Sequence, residues 1–157
     1  MTLNLTACNV QSTSETIGKN LFTALKSFSD IKTIEDKLNS VNMFIANFDD
    51  RSAGLDFRNS ISINGFKRGV KDWNKIEYVN YFHKEFKKNG KKYSSACLVV
   101  KLNGSGEYKT FAIYLLNIQV GREYKILRFN DNWSRNESVP TNTIMEQLDE
   151  IAKEWVN

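Results

Sequence analysis

His83 is the one histidine in 157 residues, and Cys8 and Cys97 are the two cysteines. A serine–histidine–aspartate or cysteine–histidine site would have to use His83, because one imidazole must take the nucleophile's proton. Its neighbours Phe82 and Lys84 supply no orienting carboxylate. The three His and Cys side chains lie far apart and fall short of the four ligands that structural zinc wants, so no metal or other cofactor is expected. Asp49, Asp50 and Asp56 gather around Arg51 and Arg58. Paired carboxylates do acid–base work when their surroundings push their pKa values apart, yet a loop cluster of mixed charge is ordinarily a solvated one. Gly104-Ser105-Gly106 lacks both the helix and the Lys-Ser/Thr pair of a phosphate loop. Asn130-Asp131-Asn132 begins like a calcium loop, but no glutamate stands at the bidentate position. Asn132-Trp133-Ser134 and Asn136-Glu137-Ser138 fit the glycosylation pattern, which carries meaning only behind a eukaryotic secretory signal.

Charge is the stronger signal. The net charge is +4, yet Lys67 to Lys92 holds nine basic residues against three acidic ones, so the rest of the chain is slightly acidic. Lys84, Lys87, Lys88, Lys91 and Lys92 crowd around Asn89-Gly90, close to Tyr81, Phe82, Phe86 and Tyr93. Lysines neutralise phosphates and rings stack on bases. The patch nonetheless lacks arginine and any RNA-binding signature, which disfavours nucleic acid. Lysines at a hairpin tip also protect a sheet edge from aggregation.

These residues need elements to hold them. Length and composition, with 41% hydrophobic and 25% charged residues, fit one folded domain. Ile17, Leu21, Leu25 and Phe28 recur at helical spacing, as do Ile34, Leu38, Val41, Ile45 and Phe48. Ser29-Asp30 separates the two stretches, and Thr33 with Asp36 forms a capping box for the second. Ile61-Ser62-Ile63 before Asn64-Gly65 suggests a short hairpin. Residues 73–89 fit either a helix with Ile76, Val79, Phe82 and Phe86 in a stripe or an aromatic-rich strand, and the strand is preferred. Strands follow over Lys92–Leu102, Tyr108–Ile118 and Tyr124–Phe129. Gly-containing links short enough only for antiparallel neighbours join them. Thr143 and Glu146 would cap a last helix bearing Ile144, Leu148, Ile151 and Trp155. The expected fold is α+β: two N-terminal helices, an antiparallel meander of three to four strands, and a C-terminal helix. Cys97, within Ala96-Cys97-Leu98-Val99-Val100, is expected as a buried free thiol. No apolar stretch approaches the roughly 20 residues that span a bilayer.

Leu5-Thr6-Ala7-Cys8 resembles the lipobox of bacterial lipoproteins, and the polar residues Asn9 to Ser14 would suit a tether. No Lys or Arg precedes the cysteine, and the apolar stretch is shorter than a secretory signal requires, so residues 1–13 are read as a truncated signal and tether. The resemblance implies lipid on Cys8 and a place on the periplasmic side of the cell envelope, and Asn9 after the cysteine implies no retention at the inner membrane. Helices followed by a curved antiparallel sheet resemble the NTF2-like superfamily. This likeness rests on element order over roughly Ser14 to Phe129, and a fold of that kind does not carry function with it.

Three functions are compatible with these residues. In the first, residues 14–157 form a single non-enzymatic envelope domain that binds a small ligand or protein partner. Leu98, Val100, Ala112, Tyr114, Leu116 and Tyr124 would then line a pocket on the concave sheet face. In the second, a cytoplasmic protein engages nucleic acid or an acidic protein through the lysine hairpin. In the third, a small enzyme works in an NTF2-like cavity with His83 or an aspartate of the Asp49–Asp56 loop as base.

Overall fold

The computed structural model of the chain describes residues 13–28, 31–51, 76–104, 107–130 and 140–156. Helix α1 (Ser14–Ser27) starts behind Thr13, whose hydroxyl accepts from the amide of Thr16, and it buries Ile17, Leu21, Ala24 and Leu25. Helix α2 (Ile34–Ile45) carries the expected capping box: the Thr33 side chain accepts from the amide of Asp36, and the Asp36 carboxylate accepts from the amide of Thr33. Its buried face differs from the sequence expectation. Phe44 and Phe48 are buried, with Val41 and Ile45 packed beside them, while Ile34 is 81% and Leu38 57% exposed. Helical spacing defines a stripe but not its extent, and the buried stripe begins nearly two turns after Ile34, at Ser40.

Four strands follow: β1 (Ile76–Lys88), β2 (Lys91–Gly104), β3 (Glu107–Val120) and β4 (Glu123–Asn130). They pair antiparallel in the order β1-β2-β3-β4, a plain meander. The ambiguous stretch before Asn89 is a strand, and its helix-like spacing has a cause. The register slips between Tyr78 and Asn80, so Val79 is an extra residue that breaks the two-residue alternation. Ile76, Tyr78 and Tyr81 consequently share one face, while Phe82 and Phe86 occupy the other. A second slip between Leu116 and Asn117 on β3 turns Tyr124, Ile126 and Phe129 of β4 to a common side.

Helix α3 (Thr141–Glu154) buries Ile144, Leu148 and Ile151 as expected. It starts three residues earlier than expected, with Pro140 rather than Thr143 at the cap position and no capping side chain, so Thr143 and Glu146 lie within the helix. Pro140 takes the non-helical cap conformation (φ −58°, ψ 141°), and its carbonyl accepts the first intrahelical bond from the amide of Ile144.

The fold is α+β, with the sheet covered on both sides. Helices α1 and α2 pack on one face over Leu98, Val100, Ile113, Leu115 and Ile126, and α3 packs on the other over Cys97, Val99, Ala112, Leu116 and Ile118. This explains why residues 93–100 are buried without interruption, since a strand covered twice has no solvent face. Residues 47–49 shield part of the β4 edge: the amide of Asp49 donates to the Ile126 carbonyl, and the amide of Ile126 to that of Asn47. Cys8 and its tether, Ser29-Asp30, Asp56 and Arg58, the Ile61–Gly65 hairpin, Ser105-Gly106 and residues 131–139 lie outside the described residues.

Candidate functional site

The β1–β2 hairpin turns through Asn89 and Gly90, both with positive φ (52° and 75°), the conformation of a two-residue turn matched to strand twist. This tight turn sets Lys87 opposite Lys92 and Lys88 opposite Lys91. Like charges directly opposite one another destabilise a ladder, so two successive lysine pairs are a costly way to end a hairpin. Alternation sends the lysines to both faces. Lys87 and Lys92 share the α1–α2 side with Tyr81 and Glu85, whereas Lys84, Lys88 and Lys91 share the α3 side with Phe82 and Phe86.

The five lysines divide further by partner. Lys84 donates to the Asp149 carboxylate at 2.9 Å, tying β1 to α3. Lys88 donates to the Val156 carbonyl at 2.7 Å, satisfying an acceptor beyond the end of α3. Lys92 lies 3.5 Å from Glu85. Lys87 and Lys91 are exposed and have no anionic partner among the described residues. The neighbouring turn adds a third such cation. Ile118 pairs with Tyr93, so Gly121-Arg122 emerges beside the lysine tip, and Arg122 is exposed and equally without an acidic partner there. Sequence reasoning left Arg122 in a strand link, although in a meander the first and third turns share one end.

The nearby rings are already engaged. Phe86 and Tyr93 stack on each other with centroids 5.4 Å apart, and Tyr93 is buried. The exposed His83 ring stacks on buried Tyr81 at 5.7 Å. Asp49 is held by Arg51, which reaches it through Nε at 2.7 Å and through its own amide at 2.9 Å. The Arg51 hydrogen bonds hold the Asp49 carboxyl below its ordinary pKa, which makes it a poor proton acceptor. Cys97 is fully buried, and burial pushes its thiol up to about 12. It therefore stays protonated and unreactive at neutral pH. Among the described residues no group of three His, Cys, Asp or Glu side chains has the spacing of a metal site, and no helix is long and apolar enough to cross a membrane.

The six residues expected around a sheet pocket are not brought together. Leu98, Val100 and Tyr124 face α1 and α2, while Ala112, Tyr114 and Leu116 face α3, so the sheet itself separates them. Tyr124 alone borders a groove of about 390 Å³, together with Ile17, Asn20, Thr23 and Ala46. Its hydroxyl donates to Glu85 at 3.1 Å.

A buried polar cluster, which no pattern in the sequence announces, fastens α1 to the sheet. Ser14 Oγ lies 2.8 Å from Tyr81 Oη, and Ser94 Oγ donates to Ser14 Oγ at 2.7 Å. Asn117 Nδ2 donates to both Tyr81 Oη and Ser14 Oγ. Burial raises the Tyr81 phenol well above its ordinary range, so it remains a neutral hydrogen-bonding group. The arrangement fixes the amino-terminal end of α1 at the level of Ser94, three residues or about 10 Å from Lys91 along the strand. Phe22 packs edge-on against Tyr78, farther from the tip, so α1 runs away from the tip and Thr13 sits at the lysine end. Comparison with known protein families, characterised proteins and solved structures finds no match to this chain.

Proposed function

We propose that the protein is a non-enzymatic binding domain that engages an anionic partner through the β1–β2 hairpin tip. The observation that carries this reading is the set of like-charged lysine pairs, Lys87 opposite Lys92 and Lys88 opposite Lys91, in which Lys87 and Lys91 lack an anion among the described residues. Such a tip weakens the ladder by itself and becomes favourable when an external anion arrives. Arg122 enlarges the same surface. The low basicity of Asp49 and the inert Cys97 thiol favour a binding role over acid–base or thiol chemistry. Attachment through an acylated Cys8 in the bacterial envelope belongs to the same reading. The envelope is rich in anionic surface, and Thr13 departs from the lysine end of the sheet.

Retention of the full chain on an immobilised polyanion such as heparin, measured against salt, tests the proposal. Retention should fall steeply as salt rises. Lys87→Gln/Lys91→Gln/Arg122→Gln should elute at much lower salt with an unchanged circular dichroism spectrum. Elution of that variant together with wild type would remove the hairpin tip as the binding surface.

A further inference from the structure

We infer that the anionic partner is a lipid bilayer, on which the domain stands with its hairpin tips down; this rests on the anion-binding reading above. Three observations favour a bilayer over a nucleic acid. First, the described rings nearest the lysine turn are engaged: Phe86 and Tyr93 are stacked on each other and Tyr93 is buried. Sequence-tolerant binding of single strands relies on open aromatic platforms. Secondly, the cations surround one end of the sheet. Lys87 leaves on the α1–α2 side, Lys91 on the α3 side, and Arg122 from the adjacent turn. That layout matches a planar array of headgroup phosphates, whereas a strand or duplex wants a groove or stripe. Thirdly, the polar cluster of Ser14, Tyr81, Ser94 and Asn117 pins the start of α1 beside the same end. Thr13, where the preceding chain enters the domain, therefore lies at the end that faces the headgroups, and lipid on Cys8 would act together with the lysines. The lipobox resemblance implies two acyl chains on Cys8, which suffice for stable anchoring, so the lysines would set which end of the domain faces the headgroups.

The division of the lysines sharpens the proposal. Lys84 and Lys88 are committed to Asp149 and to the Val156 carbonyl, so they hold α3 in place, while Lys87, Lys91 and Arg122 meet the headgroups. The test is flotation of the unacylated full chain with vesicles of equal parts phosphatidylcholine and phosphatidylglycerol, beside pure phosphatidylcholine vesicles and a labelled oligothymidylate. Wild type should float with the anionic vesicles alone and be released by salt. Lys87→Gln/Lys91→Gln/Arg122→Gln should lower partitioning on the order of a hundredfold. Lys26→Gln/Lys32→Gln/Lys101→Gln removes the same formal charge away from the tip and should leave most of the binding intact. Retention on heparin or oligothymidylate without flotation would overturn the bilayer and keep the anion-binding reading. Failure to bind any of these anions would overturn both. Flotation that survives the tip substitutions and is lost with the remote ones would show that another face meets the membrane.

Discussion

Gly18 shows how one side chain's absence can organise a helix. A Cβ built there would stand 2.5–2.8 Å from the ring of Tyr81, so the glycine lets α1 approach the strand closely enough for Ser14 to reach the Tyr81 hydroxyl. In an exposed helix interior, glycine to alanine is worth roughly 1 kcal/mol of stabilisation. At this position the sign should reverse, because the ring is packed and overfilling a core costs about 1–3 kcal/mol. Urea unfolding of Gly18→Ala should accordingly give a lower midpoint than wild type, and a higher one would mean that the Tyr81 ring yields freely. No spacing rule flags Gly18, Ser14 or Asn117, because each is a small or polar residue made important by what lies across from it. The lysines were legible as a group, but their division into structural and free cations was not.

At the scale of the element, α2 offers the clearest agreement between local sequence and structure. The Thr33–Asp36 capping box is a local device, complete within four residues, and it forms as expected. Backbone amides of Lys32 and Thr33 donate to the Asp36 carboxylate and lower its pKa. A carboxyl whose folded pKa is depressed adds stability above its ordinary titration range, and that contribution fades as pH falls through the folded value. Asp36→Asn should therefore cost stability at neutral pH and flatten part of the acid limb when thermal unfolding is followed from pH 7 downward. Equal losses for wild type and Asp36→Asn at every pH would refute the linkage. The wrong stripe on α2 and the ambiguity of β1 share one origin. A helix face is chosen by what it packs against, and the bulge at Val79 suspends the period from which strands are read.

For the molecule as a whole, the decisive feature is a sheet with a separate core on each face. Helix α3 contributes Ile144, Leu148 and Ile151 to the second core, all essentially inaccessible to solvent. Leu148→Ala should destabilise the fold by about 2–5 kcal/mol, the usual cost of a buried leucine truncation. If the two cores unfold as one unit, circular dichroism and tryptophan fluorescence of this variant will report the same transition. Separate transitions would make α3 an independently lost layer. The two-sided covering also accounts for the fate of the expected pocket. Its residues alternate correctly within β2 and within β3, but Leu98 pairs with Ile113 and Cys97 with Tyr114, so the register puts Ala112, Tyr114 and Leu116 on the face opposite Leu98 and Val100.

By itself the sequence determined the α+β class, the order of the described elements, the antiparallel meander, the burial of Cys97 and the concentration of lysines at one turn. Each follows from local chemistry: apolar periodicity, capping residues, and links too short for a parallel crossover. Tertiary structure alone decided which side of each element is covered, that α3 seals the face opposite α1 and α2, and that the start of α1 lies at the lysine end. These are relations between residues distant in the chain, set by strand register and by packing on a shared sheet. A one-dimensional pattern does not encode them.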